Sequence, residues 1–519
     1  MNKKLTYLIF IIPVLVVVLF ISQAFTSKGE EDTAEKLYQE YCASCHGVKG
    51  NGYGDFAYLV YPKPRDFTNG VFKIRSTPAG IPPTDKDLFN TIHKGLPGTA
   101  MPPFNFLNDQ EIKSLVNIVK EFSSMNNHGV QKITIPDELP PSNDLIEIGK
   151  SIYMEVGCNM CHGNTGKGDG PSSKKLTDSQ GYPIIPKDFT RGVYLGGGEN
   201  RDLYLRFVGG MDGTPMPSYG NLAEVLGKPK EEENKLAWAL VHYVKSLVVK
   251  KFDESIKPLE NGKLIAAKTN RSIQPEELLY GKGGLWKNVV SYSIPISRLW
   301  QSDNVNYQMV NVQAVYNSKY IAIKLEWEDH SQDQGLYRVQ DFQDGAAIQF
   351  SIDGTKGFHG MGSEEHPTDI WFWKAEWQFR SNEKTNSDIE LAYANRVSDS
   401  NVDTYPSLMN DIAYLSGRDA GNINSEASKT SPVENVTAIG PQTVTPLPEN
   451  AQKVTGNGVW DGQKWQVVFV RKLKSDSKRK VNIKKGESIP LAIAIWNGSE
   501  NDRNGQKMVS TWYELELKD

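Results

Sequence analysis

Cys42-Ala43-Ser44-Cys45-His46 and, 116 residues further along, Cys158-Asn159-Met160-Cys161-His162 hold all four cysteines of a 519-residue chain. What those thiols hold decides how the first half of the chain folds. A chain of this length exceeds one hydrophobic core and splits into two to four domains. With 39% hydrophobic and 23% charged residues it has an ordinary globular composition. Its 58 basic and 62 acidic residues leave a net charge of −4, with no basic stripe to follow a phosphate backbone, so nucleic acid is not an expected partner.

The N-terminus bears on the redox compartment. Lys3 and Lys4 precede an apolar run from Leu5 to Phe25, and the chain turns polar from Thr26 to Glu31. This fits an export signal in either of two forms. Ser22 and Ala24 stand where a signal peptidase needs small residues, and about 20 apolar positions also suffice for a retained membrane anchor. With the positive charges ahead of the run, the remainder of the chain faces the outer side.

Outside the cytoplasm, paired thiols usually become disulfides, and Cys-x-x-Cys pairs also bind zinc. The histidine directly after each pair points elsewhere. In Cys-x-x-Cys-His the thiols add to the two vinyl groups of a haem, and the adjacent imidazole meets the iron from one side. Two copies that use every cysteine predict two covalent c-type haems, on Cys42 and Cys45 with His46, and on Cys158 and Cys161 with His162. The sixth ligand is expected downstream. Gly98-Thr99-Ala100-Met101-Pro102-Pro103 follows His46, and Gly213-Thr214-Pro215-Met216-Pro217-Ser218 follows His162. A methionine held between prolines is a poor core filler and suits a fixed thioether facing a metal. His93 and His242 are the competing imidazoles. His242 falls within an apolar helical pattern that reads as packing, and His93 near a helix end reads as surface.

More than the haem motif repeats. Gly50-Asn51-Gly52-Tyr53-Gly54-Asp55 corresponds to Gly166-Lys167-Gly168-Asp169-Gly170, and Pro64-Arg65-Asp66-Phe67-Thr68 to Pro186-Lys187-Asp188-Phe189-Thr190. Each copy opens with a helical pattern (33–41; 145–156) and closes with an amphipathic one (109–122; 231–248), with Gly- and Pro-dense loops between. In these residues the chain resembles a tandem class I cytochrome c. The resemblance implies all-α domains over 32–127 and 144–250, joined by the linker 128–143 with Pro136, Pro140 and Pro141. With His and Met on both faces of each iron, electron transfer is the expected role.

From about residue 257 the texture changes. Stretches such as 310–316, 320–327 and 465–471 alternate with strand period, and Asp353-Gly354, Asp461-Gly462 and Asn497-Gly498 mark turns. Ten of the eleven tryptophans lie here. These features predict an all-β sandwich over 275–519, with 380–456 as a long insertion rich in Ser, Asn, Thr and Pro. A sandwich by itself implies a binding module and no chemistry.

The runs Asp344-Gly345-Ala346-Ala347-Ile348-Gln349-Phe350, Gly360-Met361-Gly362 and Asp369-Ile370-Trp371-Phe372-Trp373-Lys374-Ala375, with 494–498 and 505–512, resemble the gamma subunit of the ethylbenzene dehydrogenase group. Related gamma subunits serve dimethylsulfide dehydrogenase, selenate and chlorate reductases and nitrite oxidoreductase. The resemblance implies a non-covalent haem b held by methionine and lysine. Met361, between glycines that allow close approach, is the matching methionine. Lys507 is the matching lysine, with Lys374 second, and His359 and His366 keep a His/Met haem open. The implied function is an electron-transfer subunit without a catalytic site of its own. It would link an exported, nitrite oxidoreductase-like molybdenum enzyme, comprising a molybdopterin subunit and an iron-sulfur subunit, to soluble or membrane carriers. Two rivals stand beside it. One is a dihaem cytochrome joined to a carbohydrate- or ligand-binding sandwich without haem. The other is a self-contained haem enzyme, which would need an open iron that Met101 and Met216 argue against.

Overall fold

The computed structural model describes residues 33–519 apart from 249–255, 274–283, 299–306, 336–340, 357–360, 384–430 and gaps of one or two residues at 59, 97–98, 106, 128, 260–261, 441, 476 and 519. The expected N-terminal hydrophobic helix (5–25) lies outside the described residues, and among these no helix is long and apolar enough to cross a membrane. The chain divides into two compact units, one formed mainly by the residues up to 249 and the other mainly by those from 250 onward.

In the first unit each repeat is a small helical domain. Copy one contains α1 (33–41), α2 (Ala43–His46), α3 (Asp85–Lys94) and α4 (Asp109–Phe122). Copy two contains α5 (Asn143–Glu155), α6 (Cys158–His162), α7 (Asn200–Gly209), α8 (Leu222–Val225) and α9 (Glu233–Ser246). Local chemistry sets the boundaries. Thr84 and Asn108 close capping boxes with Asp87 and Glu111 at the starts of α3 and α4, and Ser142 caps α5. Ile112, Leu115, Val116 and Val119 recur at helical spacing and form the buried face of α4. The first and last helices of each copy pack together, Tyr38 on Phe122 at 5.0 Å and Tyr153 on Tyr243 at 5.2 Å between ring centroids. At the α5–α9 crossing Gly149 permits backbone contact: a β-carbon there would lie 2.0 Å from the Ala239 carbonyl oxygen. Gly149 is therefore a packing requirement and not a flexible point.

The second unit is β-rich. Its strands are β1 (Ile256–Pro258), β2 (Lys263–Lys268), β3 (Ser291–Arg298), β4 (Tyr307–Tyr316), β5 (Tyr320–Glu328), β6 (Gly345–Ser351) and β7 (Thr368–Lys374). After helix α10 (Ala375–Glu383) come β8 (Val433–Ala438), β9 (Thr445–Pro446), β10 (Thr455–Trp460), β11 (Lys464–Lys472), β12 (Ser488–Trp496), β13 (Met508–Val509) and β14 (Tyr513–Leu517). The described strands form one hydrogen-bonded sheet in the order β10-β11-β5-β4-β2-β14-β12-β6-β7-β8-β9, with β3 on β4 and β13, and β1 on β3. The pairs β2–β4, β2–β14 and β1–β3 are parallel and the others antiparallel.

This differs from two separate sheets. Distant strands of one sheet face each other, because Trp373 of β7 meets Trp465 of β11 at 4.8 Å and Trp327 of β5 at 6.3 Å, although β7 stands several strands from both. Alternation gives each strand an inward set, such as Ile321, Ile323, Leu325 and Trp327, which joins the main core. The expected insertion 380–456 shrinks accordingly. Residues 433–460 supply β8, β9 and β10 to the sheet, and 384–430 lie outside the described residues. Their polar composition hid β8, which is buried on both faces, Val433 in the main core and Val436 and Ala438 in a second cluster.

Candidate functional site

The two Cys-x-x-Cys-His segments adopt the same local structure. No two of the four cysteines are joined in a disulfide. The amide of Gly52 donates to the carbonyl oxygen of His46 at 2.8 Å and that of Gly168 to His162 at 2.8 Å, while Gly54 and Gly170 donate to Cys45 and Cys161, each at 3.1 Å. Gly54 and Gly170 run against the preceding turn, where a β-carbon would lie 2.3 Å from the Ser44 oxygen and 2.4 Å from the Met160 oxygen. The repeated glycines therefore let the backbone wrap each histidine closely.

Each imidazole is held in one tautomer. His46 Nδ1 donates to the Arg65 carbonyl oxygen at 2.9 Å and His162 Nδ1 to the Lys187 carbonyl oxygen at 3.0 Å. A carbonyl can only accept, so the proton sits on Nδ1 and the Nε2 lone pair is left for a metal. Phe67 and Phe189 stack on the two rings at 4.5 and 4.3 Å. Burial holds His46 down at about 4 and also lowers His162, favouring the neutral ligating form. Burial pushes the Cys42 thiol up to about 12 and the Cys45 and Cys158 thiols to about 11.

The donor set fits haem c in a second way. Cations stand beside the histidines: Arg65, whose Nη1 has no hydrogen-bond partner among the described residues, and Lys73 and Lys187, each brought down to about 8 by burial. Half-buried cations at this place suit the anionic propionates of a porphyrin. The sequence marked Arg65 and Lys187 only as part of a repeat; their carbonyl contacts to the histidines emerge with the fold.

Both methionine loops are pinned alike, the amides of Met101 and Met216 donating to the hydroxyls of Thr99 and Thr214, each at 3.2 Å. Met216 and Cys158 pack against the same core cluster. The rival imidazoles are otherwise engaged. His242 Nε2 donates to the Leu139 carbonyl oxygen at 2.7 Å within packed α9, and His93 stacks on Phe89 at 5.8 Å.

In the second unit Met361 and Lys507, 146 residues apart, converge: Lys507 Nζ lies 3.5 Å from Met361 Sδ. The amine also sits 4.8 Å from the centroid of Trp496. Met361 packs on an outer apolar patch of β6, β7, β8 and β12 that includes Ala347, Ile370, Val436, Ala438 and Ala494. Several of these side chains are small. Lys507 is 7% exposed, and among the described residues no carboxylate pairs with it. Burial lowers its ammonium to about 8. A thioether and a lysine amine on an apolar face make a donor set that fits a non-covalent haem. Lys374, the second lysine, is committed to Glu434 at 2.6 Å and lies 3.9 Å over Trp377. His366 Nδ1 lies 2.7 Å from Asp353 Oδ2, and His359 lies outside the described residues.

Fold and sites define two c-type cytochrome domains followed by a β-rich domain, and comparison with known proteins agrees. Residues 29–117 match the family model described as cytochrome c oxidase, cbb3-type, subunit III, residues 146–248 match cytochrome c, and residues 284–508 match ethylbenzene dehydrogenase. These segments are similar to cytochrome c domains, which supports haem c as their cofactor, and to a domain of the ethylbenzene dehydrogenase gamma-subunit type.

A Haloferax mediterranei protein described as a respiratory nitrate reductase heme subunit is 23% identical over 44% of this chain and 65% of its own length. The dimethylsulfide dehydrogenase gamma subunit of Rhodovulum sulfidophilum is 27% identical over 40% of this chain and 60% of its own. The chain thus spans less than two thirds of either curated relative. Among solved structures, a reducing HAO-like protein complex of Kuenenia stuttgartiensis is similar at 41% identity, covering 42% of this chain and 96% of the other, with a TM-score of 0.39.

Proposed function

We propose that this chain is the electron-transfer subunit of an exported molybdenum oxidoreductase. It carries two haems c and one haem b, and relays electrons between a molybdopterin subunit with its iron-sulfur partner and soluble or membrane carriers of the respiratory chain. When bound, each haem supplies an iron that changes oxidation state without bond chemistry at substrate. The protein's own part is positioning. Cys42, Cys45, Cys158 and Cys161 fasten the c haems, and His46 with Met101 and His162 with Met216 close both axial sites. Filled axial sites leave no place for substrate, so the oxidation or reduction of substrate falls to the partner. Nitrite is the substrate class that the family likeness favours.

The observation that carries the haem b reading is the convergence of Lys507 Nζ on Met361 Sδ at 3.5 Å, with the amine buried and unpaired by any described carboxylate. A pyridine haemochrome spectrum after acid-acetone extraction tests it. Two covalent c haems and one extractable b haem per chain are expected. Lys507→Gln and Met361→Leu are expected to remove or shift the b signal while leaving the covalent haems in place. A fully reconstituted protein with no b haem would reduce the second unit to a docking or binding module.

A further inference from the structure

The loop carrying Met216 is held from outside its own domain. It leaves α7 at Gly210 and closes on itself: a β-carbon on Gly210 would lie 2.7 Å from the Ser218 amide, and Met211 N donates to the Met216 carbonyl oxygen at 3.2 Å. Asp212 stands in this loop, four residues before Met216. Its carboxylate is gripped by the first cytochrome domain. Arg75 Nε donates to Asp212 Oδ2 at 2.9 Å, Arg75 Nη2 forms a second, short contact with Oδ1, and the Gly80 amide donates to Oδ2 at 2.9 Å.

Arg75 is committed to this grip. It is 1% exposed, and its remaining donors reach the Gly209 carbonyl oxygen and the Thr77 carbonyl oxygen, each at 2.8 Å. Arg206 of α7 returns a bond to the Arg75 carbonyl oxygen at 2.9 Å. A buried two-pronged guanidinium–carboxylate pair fixes orientation as well as distance. The same segment forms a wall of the space before the methionine: Val71, Phe72, Ile81 and Pro82 line a cavity of about 450 Å³ together with Met211 and Met216.

The arrangement runs in one direction. Aligning the repeats on their methionines and on Val71 with Val193 puts Pro97 opposite Asp212 and Gly197 opposite Arg75, so the sequence offers no reciprocal pair. Pairing that merely glued two copies together would not have to end on the ligand loop of one of them.

We propose that Arg75 of the first cytochrome domain is a positioning residue for the second haem, holding the Met216 loop in ligating geometry through Asp212. The proposal rests on the reading of Met216 as an axial ligand. It makes the second iron site complete only when the first domain is in place, and so ties the ligation of one haem to the folding of the other's domain.

The test uses the full-length holoprotein with isotopically labelled methionine methyls, assigned through Met101→Leu and Met216→Leu. In the ferrous wild type the methyls of Met101 and Met216 are expected to carry the large ring-current shift of a thioether on haem iron. Arg75→Gln and the near-isosteric Asp212→Asn are expected to abolish that shift for Met216 alone. They should lower the midpoint potential of one c haem and keep two covalent haems per chain, while Arg75→Lys, which keeps the charge but loses the fork, falls between. A wild type without a shifted Met216 methyl defeats the ligand reading, and the proposal with it. A shifted Met216 that survives both substitutions with unchanged c-haem potentials leaves the ligand reading intact and overturns the proposal.

Discussion

Asp344 is fully buried in the β unit and accepts from the amides of Asp333 and Gly498 at 2.8 and 2.9 Å and from the Trp465 indole at 3.0 Å. One carboxylate thus ties three segments together. Gly498 can occupy its place only as glycine, since a β-carbon would lie 2.2 Å from the Phe342 carbonyl oxygen. That contact accounts for two fragments of the family motif, Asp344-Gly345 and Asn497-Gly498, in physical terms. Burial, reinforced by the nearby Asp329 charge, pushes Asp344 up to about 8. Burial likewise raises Asp329 and Asp502 to about 6. These groups hold their protons more tightly folded than unfolded, where they titrate near 3.8. Their contribution to stability is therefore greatest below that value and is lost as pH rises toward 8. The melting temperature of the β unit, followed by near-ultraviolet dichroism of its tryptophans, is expected to fall between roughly pH 5 and pH 8. A flat or rising profile would contradict this.

Among the elements, the pairing of α5 with α9 shows how a helix contact is set by one missing side chain. Gly149 brings the backbones together at Ala239, and Tyr153 and Tyr243 fill the space one turn away. Gly149→Ala gains helix propensity of about 1 kcal/mol but must push α9 outward, an overpacking cost of about 1–3 kcal/mol. A lower melting temperature in the far-ultraviolet helix signal of the holoprotein is expected. A variant as stable as the parent would show that the crossing has room. The helices themselves were legible: 109–122 was read to the residue, and 145–156 and 231–248 to within two residues, because capping residues and apolar spacing are local signals. The strands of 433–460 were not legible, because polar loop composition surrounds them and their partners lie far off in sequence.

For the whole molecule, each unit has its own core, helical in one and β in the other. Ten of eleven tryptophans lie beyond residue 257. The far-ultraviolet helix signal therefore reports mainly the cytochrome unit and tryptophan dichroism mainly the β unit. The two signals are expected to give non-coincident thermal transitions, with Gly149→Ala moving only the first; a single shared transition in both proteins would show one cooperative block.

The sequence alone marked the two Cys-x-x-Cys-His segments, the tandem repeat, the methionine loops and the β character of the second half. Those features are written in short spacings, since covalent attachment, capping and strand alternation act between near neighbours. Tertiary structure alone decided the rest. It left the Lys507 amine beside Met361 and gave that of Lys374 to Glu434. It curled one sheet into two facing layers, and it closed Arg75 on Asp212 across 137 residues. Contacts of that range leave no periodic trace, because each partner alone reads as an ordinary charged residue, and only burial reveals which charges must be neutralised by which.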